Sequence, residues 1–235
     1  MQIKDSTVLI TGGSGGIGRA IAETLIGAGA RVAITGRDRA KLDATAAAIG
    51  ARPIHADVSV EADVLRTMDE TLAAFGHLDV LVNNAGFGVF RPLVDTDRAS
   101  FEAVFATNVT GAMLMAREAA KHFISRQRGN IVNIASTSAL RGAPLGTTYY
   151  ATKFALRGMT ECWRAELRQH NIRVFLVNPS EVLTDFSTAA GRAQKPANET
   201  KLLGEDIAHM VKAVLEMHDR GFTTELTVFA TNPRD

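Results

Sequence analysis

The chain has 235 residues, enough for one doubly wound domain whose core needs neither metal nor disulfide to hold it. Its 46% hydrophobic and 22% charged residues exclude a disordered chain. With 26 Lys+Arg against 25 Asp+Glu, the formal charge of +1 creates no field that would draw nucleic acid or an anionic membrane.

In chain order, short continuous apolar runs alternate with stretches of helical period. Strands are expected at Val8 to Ile10, Val32 to Ile34, Pro53 to His55, Val80 to Val82, Ile131 to Ile134, Val174 to Val177 and Leu226 to Phe229. Runs without polar alternation are what strands buried on both faces require. After the first run, Ile17, Ala20, Ile21, Thr24, Leu25 and Ala28 form one helical stripe. Long helices are expected around 100–124 and 148–169, separated by the solvated turn Arg126-Gln-Arg128. This repetition predicts a three-layer α/β fold: a parallel, doubly wound sheet of about seven strands with helices on both faces, in one domain over 1–235. Cys162, the single cysteine, reads as a packed helical residue, and the six dispersed histidines suggest no metal site. The opening MQIKDSTVLITGG lacks a charged leader and long apolar segment, and no later run is long enough for a bilayer, which points to the cytoplasm.

One stretch departs from the pattern. Asn178 to Asn198 is polar and aperiodic, with Pro179 and Pro196, and follows the sixth strand. A loop of about 178–204 would hang over the carboxyl ends of the strands, where such sheets bind ligands.

Thr11-Gly-Gly-Ser-Gly-Gly-Ile-Gly18 lies directly between the first strand and the first helix. Glycines allow a tight turn and close approach of a pyrophosphate, and the helix N-terminus offers free N–H groups. The spacing of Gly12, Gly16 and Gly18 resembles the TGxxxGxG turn of the short-chain dehydrogenase/reductase family rather than the ordinary dinucleotide fingerprint. The resemblance extends to Asn83-Asn-Ala-Gly86 after the fourth strand and to Asp57-Val58 after the third, though an acid at Asp57 also suits a helix start. It implies a Rossmann fold and a nicotinamide dinucleotide held by Gly12, Ser14, Gly16, Ile17 and Gly18, then by Arg37, Asp57 and Val58. Asn84, Ala85, Gly86, Tyr149, Lys153, Pro179, Val182 and Thr184 complete the expected set.

The only tyrosines, Tyr149 and Tyr150, precede Lys153, and residues four apart on a helix share a face. An ammonium beside a phenol would bring its pKa down from about 10. Alone such a pair is usually a surface contact, but Ser136 stands thirteen residues before Tyr149 and Asn108 opens Asn-Val-Thr-Gly111. These match the family's catalytic tetrad, which implies Tyr149 as acid/base, Ser136 orienting the substrate oxygen, Lys153 on the ribose and Asn108 anchoring a water. Asn108 also has a plain structural reading, a helix amide satisfying a nearby carbonyl.

The second strand ends at Gly36 rather than at an acid, and Arg37 follows, so a guanidinium is available to a 2′-phosphate; NADP(H) is expected over NAD(H). NADP-preferring relatives often carry a further basic residue in the glycine turn, where this chain has Gly15, and Asp38 suits a helix cap. Ser180 replaces a glycine usual after Pro179, and the C-terminus lacks the family's Val-Asp-Gly-Gly. Phe87, Ala139, Leu140, Leu145, Trp163 and Phe186 are expected to shape an apolar pocket. The expected partner is a small carbonyl or alcohol substrate, carrier-bound acyl groups included, with neither nucleic acid nor membrane. Homodimers or homotetramers through the two long helices, with Phe101, Phe105, Met113 and Phe154, are expected by resemblance. A catalytically silent NADP(H) sensor or scaffold is the alternative; an extended sugar-nucleotide epimerase fails on length and glycine spacing.

Overall fold

The computed structural model describes residues 1–186 and 200–232. Seven strands form one sheet: β1 (Thr7–Ile10), β2 (Arg31–Gly36), β3 (Arg52–His55), β4 (Val80–Asn83), β5 (Gly129–Ile134), β6 (Ile172–Pro179) and β7 (Glu225–Val228). All pair in parallel, in the order β3-β2-β1-β4-β5-β6-β7. The helices between them are α1 (Gly16–Gly27), α2 (Arg39–Ile49), α3 (Glu61–Phe75), α4 (Arg98–Phe105), α5 (Ala112–Arg126), α6 (Thr147–Leu167) and α7 (Gly204–Glu216).

Alternation along each strand sorts the core into two layers. Val8, Ile10, Val80, Val82, Val132 and Ile134 point to the side covered by α1, α2 and α7, where Ile21, Leu25, Leu42 and Val211 meet them. Leu9, Leu81, Ile131 and Val174 point to the opposite side, under Val64, Met68, Met115 and Phe123 of α3 and α5. Because the central strands bury both faces, their sequence shows no polar alternation. The seven-stranded, doubly wound Rossmann sheet is the fold that the alternation of runs predicts.

Three details differ from the sequence reading. The 100–124 helix is α4 and α5 joined by a π-helical stretch, Ala106–Gly111. Arg126 is not a solvated turn residue: its guanidinium donates to the Leu78 carbonyl at 2.6 Å and to Asp79 at 3.2 Å. Cys162 is exposed, not packed. It sits thirteen residues beyond Tyr149 on α6, about 220° around the helix at 100° per residue.

The sheet order reverses direction between β1 and β4. Loops leaving the carboxyl ends of these strands diverge there, opening a crevice where parallel sheets bind ligands.

Candidate active site

The crevice is a cleft of about 730 Å³ that runs from the glycine turn to Tyr149 and the segment after β6. Its floor is built by the turn between β1 and α1. Gly12 and Gly16 hold φ of +65° and +52°, a region that side chains resist. A Cβ at Gly18 would stand 2.4 Å from the Asn84 amide nitrogen. That nitrogen donates to the carbonyls of Thr11 and Gly12, each at 3.0 Å. In return the Thr11 hydroxyl accepts the N–H groups of Asn84 and Ala85 at 3.0 and 3.1 Å. The Asn83-to-Gly86 segment therefore fixes the turn across the switch point. α1 starts with no side-chain cap and no acid in its first turn, and Gly15, Gly16 and Ile17 line the cleft. A helix end left open in this way fits the diphosphate of a dinucleotide.

At the adenosine end of the cleft stand Ser14, Gly36, Arg37, Asp57 and Val58. The exposed Arg37 guanidinium lies 3.8 Å from Asp57 Oδ2 and 5.9 Å from the centre of the Phe87 ring. Asp57 accepts the N–H of Ser59 at 2.9 Å and its hydroxyl at 2.7 Å. Asp57 thus folds a turn ahead of α3, whose N-cap is Val60. Asp38 caps α2 by accepting the Lys41 N–H at 3.0 Å.

Ser136, Tyr149 and Lys153 meet at the other end. Ser136 follows β5 and caps the short 3-10 turn Thr137–Ala139, accepting the Ser138 N–H at 3.1 Å. Tyr149 lies in the first turn of α6 with its ring between Phe90 and Phe186, at centroid distances of 5.4 and 5.3 Å. Burial pushes its phenol up to about 12, against a hydrogen bond with Ser136 that pulls it down. Lys153 Nζ donates to the Ile134 carbonyl at 2.9 Å and stands 5.5 Å from the Tyr149 ring centre. Burial holds its ammonium down at about 8. The expected lowering of the phenol is therefore not what this structure shows: burial outweighs the hydrogen bond with Ser136.

Asn108 sits within the π-helical stretch, a feature that favours functional sites. Its amide donates to the Phe87 carbonyl at 2.8 Å and to the Thr152 hydroxyl at 3.1 Å, while its oxygen accepts the Phe87 N–H at 3.0 Å. Both of its N–H donors are committed within the protein. What Asn108 visibly does is pin the backbone of Phe87 to α6.

Pro179, Val182 and Thr184 line the far wall of the cleft. Ser180 in place of glycine leaves the local pairing intact, since its N–H donates to the Val228 carbonyl at 2.9 Å. Of the proposed pocket residues, Phe87 and Phe186 line the cleft, and four do not. Ala139 is fully buried in the core, and Leu140 and Leu145 are exposed without lining the cleft. Trp163, itself on α6, packs against two buried apolar clusters, fourteen residues or about 21 Å along the helix from Tyr149. Phe90, Lys41 and Asp185 are among the lining residues that sequence reasoning missed. Among the described residues, no cluster of three His, Cys, Asp or Glu is placed to hold a metal, and no helix is long and apolar enough to cross a membrane.

The model of the short chain dehydrogenase family matches residues 6–195. The chain belongs to that family. As a short-chain dehydrogenase it is an oxidoreductase, and its relatives agree. It is 40% identical over 185 residues to a sorbitol dehydrogenase of Cereibacter sphaeroides, covering 77% of this chain and 72% of that one. Its structure is similar to a 3-ketoacyl-(acyl-carrier-protein) reductase from Brucella melitensis complexed with NADH, with a TM-score of 0.89 and 30% identity over 96% of this chain and 97% of that one. It is also similar to a metagenomic short-chain oxidoreductase in complex with NADP, with a TM-score of 0.85 and 33% identity over 99% and 100% of the two chains. The neighbours thus include complexes with both nicotinamide cofactors.

Proposed function

We propose that this short-chain dehydrogenase works on a ketone or aldehyde and its alcohol with NADP(H) as hydride partner, Tyr149 acting as general acid/base. The observation that carries this reading is the junction of Ser136, Tyr149 and Lys153 at one end of a cleft whose other end is an open helix N-terminus. The dinucleotide, when bound, supplies or accepts the hydride. Everything else falls to the protein. In the reducing direction, negative charge grows on the substrate oxygen, and a phenol held at about 12 is protonated at neutral pH and ready to donate. The Ser136 hydroxyl orients and stabilises that oxygen. Lys153 gives one N–H to Ile134, and its two other N–H donors suit the nicotinamide ribose hydroxyls. Asn108 acts by fixing the Phe87 loop beside them. The other cofactor contacts are assigned to Gly12, Ser14, Gly16, Ile17, Gly18, Arg37, Asp57, Val58, Asn84, Ala85, Gly86, Pro179, Val182 and Thr184.

Phe90, Tyr150 and Phe186 surround the reacting end, so the substrate is a carbonyl with an apolar flank, of the 3-oxoacyl or small carbonyl reductase type. The setting is the cytoplasm and the assembly a homodimer or homotetramer, to which the exposed Phe154 of α6 and the stacked Phe101 and Phe105 of α4 lend apolar surface. Preference for NADP(H) rests on Arg37, whose guanidinium can pair with the 2′-phosphate through parallel charge-assisted bonds. One such contact contributes about 1.5–3 kcal/mol, a ten- to hundredfold preference. Comparing kcat/KM for NADPH and NADH across a panel of carbonyl compounds tests both halves of the reading. Gly36→Asp with Arg37→Ala is expected to move the preference toward NADH, and an unmutated enzyme favouring NADH would overturn the assignment of Arg37.

A further inference from the structure

Besides Arg37, the adenosine end of the cleft holds a second cation that the glycine turn itself does not provide. Lys41 stands in the first turn of α2, four residues after Arg37, and its side chain folds back over the β1–α1 turn. A Cβ built on Gly15 would meet Lys41 Nζ at 3.3 Å and Cε at 3.4 Å. The ammonium therefore occupies the space that a side chain at residue 15 would enter. Gly15 has extended backbone, with φ −175°, so it is this space and not the turn that distinguishes the position. Across the cleft mouth, Lys41 Nζ donates to Asp185 Oδ2 at 3.3 Å, and Asp185 belongs to the segment that leaves β6.

We infer that Lys41 is a second specificity-determining cation for the 2′-phosphate of NADP(H), supplied from α2 instead of from the glycine turn, with Asp185 as its partner until the phosphate takes it. The inference rests on the NADP(H) reading above. A dianionic phosphate is a stronger acceptor for an exposed ammonium than one solvated carboxylate, because two charges face the cation in place of one. NADH carries only hydroxyls at that position and leaves the Lys41–Asp185 pair in place. Asp185 thereby competes with the phosphate and holds NADP(H) affinity below its ceiling.

Dissociation constants for NADPH, NADH and the fragments 2′,5′-ADP and 5′-ADP, measured by titration calorimetry on the full chain, test this. Lys41→Ala is expected to weaken NADPH and 2′,5′-ADP about tenfold while changing NADH and 5′-ADP less than twofold; Lys41→Arg is expected to keep the preference. Asp185→Asn is expected to tighten NADPH about threefold, and that gain is expected to vanish in the Lys41→Ala background. If Arg37→Ala abolishes the NADPH preference but Lys41→Ala weakens NADPH and NADH equally or not at all, the role of Lys41 is overturned and the NADP(H) reading stands. If the unmutated protein binds both cofactors equally, both fall together.

Discussion

The two ends of the same sheet treat buried charge in opposite ways. At the amino end, Asp79 is buried at the start of β4 and surrounded by donors. Burial alone would raise its carboxyl, but the Thr7 N–H at 3.0 Å and the charges of His77 and Arg126 hold it below the usual range. At the carboxyl end, Lys153 and Tyr149 are displaced the other way, each toward its neutral form, by burial. One end spends its polar groups on holding strands together; the other keeps strained ones in reserve. The lesson is that a Rossmann sheet separates stability from reactivity by the direction of its strands, since the divergent loops and open helix end all lie on one side.

The largest expected break in this comparison is Tyr149→Phe. Loss of the proton donor is expected to lower turnover by about a hundred- to ten-thousandfold while NADPH affinity stays within a few-fold, as read by steady-state kinetics and binding titration. Tyr150→Phe is expected to be mild, and a reversal of the two effects would overturn the choice of acid. At the opposite end, Asp79→Asn is expected to cost about 2–3 kcal/mol in urea unfolding without altering the chemistry. Because the folded pKa of Asp79 is depressed, its contribution is present above the ordinary carboxylate pKa and is lost as pH falls through the lowered one. The gap between the unmutated protein and Asp79→Asn should therefore narrow in acid.

Lys153→Met sharpens the contrast with a gain. A lysine held at about 8 instead of 10.5 binds its proton more weakly when folded, which costs up to about 3 kcal/mol below pH 8. The cofactor-free variant is expected to be more stable than the unmutated protein by up to that amount at pH 7, yet inactive. The advantage should shrink between pH 8 and 10.5, where the unfolded chain still holds the proton that the folded one releases. Unfolding curves across that range check the sign, and a loss of stability at pH 7 would show that Lys153 is favourably placed.

The sheet and the glycine turn were legible because each follows from local rules: strands buried on both faces need continuous apolar runs, and Gly12 and Gly16 need positive φ. The pairing of Tyr149 with Lys153 was legible from helical spacing, and Ser136 joined them through its match to the family's serine-to-tyrosine offset. Other features depended on distances that periodicity does not contain. Trp163 lies on nearly the same side of α6 as Tyr149 but four turns away, too far to reach the cleft. Lys41 looks like an ordinary solvated residue of α2 until the fold brings its ammonium to Gly15. Phe90 carries no motif, and reaches Tyr149 on a loop held by Asn108 at Phe87 and by the Arg91 N–H on the Leu145 carbonyl. Of the expected substrate loop, 178–204, Asn178 and Pro179 end β6, Gly204 opens α7, and 187–199 lie outside the described residues.

The stem of that segment has a consequence for how such a protein diversifies. Val182 bridges Leu202 in parallel, the Leu183 N–H donates to the Leu202 carbonyl at 2.8 Å, and Lys201 pairs with Glu181 at 3.1 Å. The two ends of the excursion are thus fastened to each other before the chain enters α7. Doubling the length of a flexible excursion between fixed ends costs only about 0.6 kcal/mol in closure entropy. A change of length between Phe186 and Thr200 is therefore expected to leave β6, α7 and the cleft-lining Thr184 and Phe186 where they are, because the clasp lies outside it. Length can then drift there while the end of the cleft around Tyr149 stays fixed.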